Sequence, residues 1–387
     1  MVDTIDEEPI RPSRTVTLKD IAEQCGLGIA TVSMALRDHQ RFPQVTTQRI
    51  LAAAAELGYD PSRQTNARRL VMSRFGKPVI NNLLALFLPP HFYRAPYYTA
   101  QFQGILDVAT REGYGVMAVN APVSGLTRLP PSFHRGEVDG AILMVGWKYS
   151  EQILTQLRQE PLFGRRPVVS IMAAVPDCST VMTDAQVGAA AEVTHLLALG
   201  HRHFVTFHPP GGTTFGFHQD QLLLGYRQAC LDYGLDPTRH LHAVEIDATL
   251  WRLAFVAAEI TKIPRLPMSA WSTRHPLLTL LRQHPEITAV LAPNDPFAVV
   301  VRQILARGDF RVPDDISLVG FDDTDEMLDT QGHNLLTTVR LPLRKFGRRA
   351  TQLLIDRLLG RATADVQMVI PAKLIGRSST ACAKVRH

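Results

Sequence analysis

Nowhere does this 387-residue sequence hold an apolar run near the roughly 18 residues that a membrane-crossing helix needs. Its start, MVDTIDEEPIRP, is acidic where a secretion signal would be basic and then apolar. Both absences predict a protein without a membrane partner that stays in the cytoplasm. Cysteine is scarce: Cys25, Cys178, Cys230 and Cys382 lie far apart, without the close pairs that zinc ribbons or redox motifs require. Reduced, structural thiols are expected, and neither a metal nor another cofactor. Catalytic signatures are missing as well. There is no nucleophile elbow, no phosphate-binding glycine loop and no carboxylate pair at credible spacing, which speaks against an enzyme. The histidines of HRHFVTFH (His201, His203 and His208) invite a metal reading, but cysteine and further carboxylates at ligand spacing are missing nearby in sequence.

What is present is enough apolar material, 45% against 20% charged residues, to bury a large core in two or three domains. The net charge of +5 is modest but unevenly spread. Residues 11–78 carry eleven Lys or Arg against five Asp or Glu, whereas the 309 residues that follow share only +3. A basic head on a nearly neutral body is the pattern of a nucleic-acid binder, with a merely solvated basic surface as the alternative.

The head contains GLGIATVSMALR at 26–37, which reads as a phosphate loop, a core helix or the reading element of a DNA-binding module. Before it, Thr17 stands three residues ahead of Asp20 as in a capping box, and Leu18, Ile21, Ala22 and Cys25 fall on one helical face. Gly26 ends that helix. A second helix fits 29–36 with Val32, Ala35 and Leu36 inward and Thr31 and Ser33 outward. A third is expected from a Thr46 cap, with Ile50, Leu51, Ala54 and Leu57 inward and Gly58 as the stop. Ala22, Gly26 and Val32 give a small residue at the crossing, a tight turn and a branched lock beneath the second helix, as a helix-turn-helix requires. TLKDIAEQC is a helical pattern rather than a strand, which argues against a phosphate loop; a plain three-helix core segment remains as the bland reading.

TVTLKDIAEQCGLGIATVSMALR followed by TTQRILAAAAELGYDP resembles the DNA-binding head of the lactose and galactose repressor (LacI/GalR) family of bacterial regulators. The resemblance continues through PYYTAQFQGILDVATREGYGV, GEVDGAIL, HLLALGHR, APNDPFAV, DISLVGFDDT and LTTVRLPLRKFGRRATQLLIDRLL. It implies a second helix in the major groove with Ile29, Ala30 and Met34 at base edges. Thr17, Thr31, Ser33, Arg37, Arg41, Thr46 and Tyr59 match positions that grip phosphates. Much of the family has arginine where Met34 stands, so apolar contact to thymine methyls replaces bidentate guanine recognition. Gly28 replaces a usual serine, and weaker binding per head is expected. The stretch SRQTNARRLVMSRFGKP matches a linker that becomes helical on operator DNA and inserts a leucine into the minor groove, which nominates Ser62, Arg63, Arg68 and Leu70 as hinge residues. Counted without a gap from Pro61, Arg68 takes the leucine position; Leu70 serves only with two residues inserted. A plain basic tether is the other reading.

From residue 82 short apolar runs alternate with helical stretches near 99–112, 184–199, 219–233, 274–283, 295–307 and 343–359, as in parallel sheets covered on both faces. The expected fold class is an N-terminal all-α helix-turn-helix head followed by a two-lobed, doubly wound α/β effector domain. By resemblance that domain is like a periplasmic binding protein. The expected division is a disordered tail at 1–14, the head at 15–61, a basic hinge at 62–80 and the effector and dimerisation domain at 81–387. Its first lobe would take about 81–177 and 339–368, its second about 178–338 and 369–387. Ligands of such sheets bind beyond the carboxyl ends of strands. By resemblance Tyr97, Tyr98 and Trp271 stack on a small effector, and Asp184, Asn294 and Asp322 bond its hydroxyls. An arginine that usually clamps the ligand is replaced by Leu222. Asp323, Asp325 and Glu326 read instead as acids at a helix start. The function implied is a homodimeric transcriptional regulator of repressor type whose partners are double-stranded DNA and a small-molecule effector, for example a carbohydrate. An effectorless repressor, or a cytoplasmic ligand-binding or enzymatic α/β protein, are the alternatives.

Overall fold

The computed structural model describes residues 16–37, 42–57, 59, 80–90, 92–121, 128–208, 217–245, 275–324 and 327–384. The chain separates into two compact units, Met1–Val79 and Ile80–His387.

The first unit holds α1 (Leu18–Cys25), α2 (Ile29–Arg37) and α3 (Gln44–Glu56). Thr17 and Asp20 form the expected capping box, and Gly26 closes α1 in the left-handed region at φ 58°, a conformation that costs glycine nothing. Ile21, Ala22, Cys25, Val32, Ala35, Ile50, Ala53 and Ala54 make the core, with Leu18, Leu36 and Leu57 packed at its margin. Two expectations for α3 fail. The helix starts at Gln44 behind Pro43, so Thr46 lies within its first turn and caps nothing. That earlier start sets the phase that buries Thr47, Ile50, Ala53 and Ala54 and turns Leu51 outward, 42% exposed.

The second unit contains two six-stranded sheets. The first is built from β1 (Leu83–Leu88), β2 (Gly115–Asn120), β3 (Gly140–Leu143), β4 (Val168–Ile171), β5 (Ser179–Met182) and β11 (Gln367–Val369). Its order is β11-β5-β4-β3-β1-β2, parallel throughout. The second contains β6 (His203–His208), β7 (Leu241–Glu245), β8 (Ile287–Leu291), β9 (Ser317–Asp322), β10 (Thr337–Arg340) and β12 (Lys373–Ile375). Its order is β12-β10-β9-β8-β6-β7, and only β12 runs antiparallel. Helices cover both: α4 (Pro96–Arg111), α5 (Pro131–His134), α6 (Trp147–Gln159), α7 (Ala185–Ala198), α8 (Phe217–Asp232), α9 (Pro237–His240), α10 (Pro276–Gln283), α11 (Asp295–Arg307) and α12 (Leu343–Leu358).

Strand β1 shows why this layering follows from sequence. Alternate residues go to opposite faces, so Leu84, Leu86 and Leu88 join one core while Ala85 and Phe87 join another. With both faces covered, every position is apolar.

The lobe boundaries shift from expectation. Strand β5 stays in the first sheet to Met182, β10 in the second to Arg340, and β11 in the first to Val369. The chain therefore passes between sheets after 182, 340 and 369, against expected crossings near 177, 338 and 369, so the first two come later than expected. Strands β5 and β10 escaped the reading because their buried residues are hydroxylic. Ser179, Thr180, Thr337 and Thr338 are fully buried, bonded to Asp365, Ser170, the Arg377 carbonyl and Asp295 respectively.

Candidate nucleic-acid interface and ligand site

In the first unit the core draws apolar residues inward, Thr47 apart, and leaves one face of α2 to solvent. Val32 and Ala35 are fully buried, whereas Ile29 is 49% and Met34 40% exposed, with Ala30 exposed beside them. An apolar isoleucine and methionine on the outside of a module this small do not serve its packing. Arg49 on α3 donates to the Cys25 carbonyl at 2.6 Å, and Gln24 donates to Glu56 at 2.9 Å. These bonds lash α3 to α1, so α2 is presented on a fixed base.

The phosphate candidates sit as follows. Thr17 is exposed, but its hydroxyl donates to Asp20 at 2.6 Å while accepting from the Asp20 N–H, so contact with phosphate requires exchanging that bond. Thr31, Ser33 and Thr46 are half-buried. Tyr59 is half-buried against the core and donates its main-chain N–H to Ala54 at 2.7 Å. Arg37 ends α2. Arg41, Ser62, Arg63, Arg68 and Leu70 lie outside the described residues.

In the second unit Tyr97 and Tyr98 occupy the first turn of α4, rings edge to face at 5.0 Å. Burial, then the negative charge of Asp322, pushes the Tyr98 phenol up to about 12, and the same two causes raise Tyr97. Asp322 closes β9 with φ at 114°, a backbone conformation rare for a side-chain-bearing residue. Both tyrosines thus lie within electrostatic reach of Asp322 at the end of β9. An aromatic pair within such reach of a carboxylate suits a polyol with apolar ring faces and hydroxyl edges.

The other cleft candidates are helix caps. Asp184 is exposed and accepts from the N–H groups of Gln186 and Val187 at the start of α7. Asn294, nearly buried, accepts from the Phe297 N–H at 2.8 Å and caps α11. Trp271, Asp325 and Glu326 lie outside the described residues. Leu222 is buried in the core. The helix-start reading of Asp323 fails: its buried carboxylate pairs with Arg377 at 2.8 Å and with Arg340, and no helix follows it among the described residues. Of the HRHFVTFH histidines, His201 is committed to Thr288 and the Ala381 carbonyl.

Sequence reasoning missed a buried acid group beneath this site. Glu192 on α7 is fully buried and accepts from the Tyr226 hydroxyl at 2.8 Å, while its other oxygen has no hydrogen-bond partner among the described residues. Burial, then repulsion from Asp295 and Asp322, holds its carboxyl far above the usual range. Within AAAEVTHLLALG one acid on an apolar helix reads as a solvated residue, so the sequence carried no usable signal.

Among known proteins, residues 17–62 match the family of bacterial regulatory proteins of lacI type, and 193–380 match the periplasmic binding protein-like domain. The HTH-type transcriptional regulator CelR of Thermobifida fusca is 26% identical over 376 residues, 95% of this chain and 98% of the relative. Two solved structures share the fold. A complex of the regulator CelR with cellobiose (24% identical, TM-score 0.56) aligns over 94% of this chain and 99% of its own. The lac repressor dimer bound to operator and the anti-inducer ONPF (20% identical, TM-score 0.56) aligns over 95% and 100%.

Proposed function

This chain belongs to the LacI family of bacterial transcriptional regulators, and from that premise we propose that it is a repressor which binds a pseudo-palindromic operator as a homodimer under the control of a small effector. The observation that carries the reading is the exposed Ile29, Ala30 and Met34 face of α2 over a packed trihelical core. Such a helix enters the major groove, and its apolar side chains favour steps rich in thymine methyls. Thr31, Ser33, Thr46 and Tyr59 set the register on phosphates. The effector lies against Tyr97, Tyr98 and Asp322, and its class is a carbohydrate or related polyol, in keeping with the cellobiose held by a relative of the same fold. With Leu222 in the core no arginine clamps it from that position, so affinity rests on stacking and on hydrogen bonds to carboxylate.

Selection of bound duplexes from a random pool tests the first half. The expected product is a palindrome, bound with an affinity that falls about 10³- to 10⁵-fold between 50 and 200 mM salt if six to ten phosphates are gripped. Failure to retain any duplex at low salt overturns it. A thermal-shift panel of sugars, purines and organic acids tests the second half. A rise with sugars alone supports the polyol site; no response in any class favours the effectorless repressor.

A further inference from the structure

The fold assembles a histidine row that no stretch of sequence displays. His203 opens β6, His240 ends α9, His242 follows on β7, and His284 stands between α10 and β8. Ring centroids are 4.5 Å apart for His203 and His240, 5.5 Å for His203 and His242, and 5.4 Å for His242 and His284. His203 Nδ1 and His242 Nε2 approach to 3.2 Å. Two nitrogens at the usual ~2.0–2.1 Å from one zinc-like ion, held 3.2 Å apart, subtend about 100° at it, close to tetrahedral. The remaining rings are already in ligating tautomers. His240 Nδ1 lies 2.8 Å from the Arg202 carbonyl and His284 Nδ1 lies 3.0 Å from the Glu286 carboxylate. Both acceptors demand the proton on Nδ1, which puts the lone pair of the neutral ring on Nε2. Glu286 behind His284 reproduces the carboxylate–histidine pairing that orients metal ligands.

We propose that His203 and His242, joined by His284 and flanked by His240, bind a divalent transition-metal ion of the zinc class. The ion takes the place of the proton that the 203 and 242 rings share; in a pair of neutral rings the donor passes that proton through solvent to its own other nitrogen, so both bind as neutral imidazoles and no net proton is released. Among the described residues three donors do not already converge on one point; the half-buried His284 ring completes the site by turning toward the 203–242 pair. The site lies at the amino ends of the parallel strands β6, β7 and β8, whereas Asp322 marks the carboxyl end of β9 in the same sheet. It is thus independent of the effector reading, and its test separate.

Titration of the tag-free, chelator-treated full chain with Zn²⁺ by calorimetry at pH 7.5, and with Co²⁺ by visible absorption, decides it. One ion per chain at a Kd of about 10 μM or tighter, with tetrahedral Co²⁺ bands, is expected. His203→Gln and His242→Gln each weaken binding at least tenfold, Glu286→Gln about 10- to 100-fold, and His333→Gln leaves it unchanged. Weaker binding by the wild type, or undiminished binding by the His203→Gln/His242→Gln pair, overturns the proposal. Should these variants fail to fold, X-ray absorption of the Zn²⁺-loaded wild type settles the matter: three or four imidazole ligands support the site and two or fewer refute it.

Discussion

Single side chains set what this regulator reads and at what pH it is most stable. Met34 projects from α2, 40% exposed, at the position where the family resemblance implies arginine. Met34→Arg supplies a bidentate partner for guanine worth about 1–3 kcal/mol of base discrimination. Selection from a random duplex pool should therefore return a site with a new G·C preference in each half; an unchanged site sinks the groove docking of α2. Glu192 acts through protonation. Its folded pKa is raised above the ordinary 4.5 by burial and by Asp295 and Asp322, so the folded chain holds a proton that the unfolded chain releases. Stability is then fully present below about pH 4.5 and is lost as pH rises toward the folded value, by up to about 1.4 kcal/mol per pH unit in that window. Glu192→Gln removes the ionisation while keeping an acceptor for Tyr226. Its Tm should gain on the wild type between pH 5 and pH 8, and parallel Tm curves would refute the assignment. The Met34 position was legible because a head this short has few places to hide an apolar residue. Glu192 was not, since nothing local in AAAEVTHLLALG says that Tyr226 and two acids will close over it.

Elements built on apolar periodicity were the ones the sequence announced. The three head helices and the strands LLALFL, GVMAV and ISLVGF came through because burial on one stripe or on both faces leaves a strong pattern. Strands β5 and β10 were invisible: hydroxyls fill their buried positions and find partners from segments far away in the chain, such as Asp365 and Arg377. Helix α6 was overlooked although Ile153, Leu154 and Leu157 are buried, because its first turn, WKYS, interrupts the stripe. The crossing of α4 and α12 also depends on a long-range fit. A Cβ on Gly104 would stand 2.0 Å from the Arg344 carbonyl oxygen, and one on Gly347 2.0 Å from that of Gln101. Each glycine admits the backbone of the opposite helix, and Asp107 then reaches Arg344 at 2.9 Å and Arg348 at 2.8 Å. Those two guanidiniums hold the Asp107 carboxyl down at about 2. Gly104→Ala must force the helices apart at a cost of about 3 kcal/mol or more, a fall of roughly 5 °C or more in Tm for a unit this large. A calorimetric scan showing less than a 2 °C change would mean that the helices are not pressed together at Gly104.

At the scale of the whole molecule the two units divide the labour, and the sequence foretold the division through charge: residues 11–78, within the first unit, hold eleven Lys or Arg against five acids, whereas the second unit is nearly neutral. What charge does not foretell is how the second unit is wound. Its described chain passes three times between sheets, so the two halves are tied by three covalent connections, an arrangement compatible with the effector-driven closure proposed above. The first unit is small, and on the proposed reading, with Gly28 and Met34 where the resemblance implies serine and arginine, its grip per head is expected to be modest. Useful affinity for an operator must then come from two heads acting together. Once one head of a homodimer is seated, the second meets its half-site at a local concentration in the millimolar range, which raises overall affinity about 10²- to 10⁴-fold with no added contact. A duplex carrying the selected palindrome should accordingly bind at least 100-fold more tightly than one in which a single half is scrambled, measured at the same salt, and half-sites moved apart by about five base pairs should lose that advantage because the second half then faces the opposite side of the helix. Equal affinity for the whole and the half site would show that each head works alone, and the effector unit would then have no shared geometry through which to release the DNA.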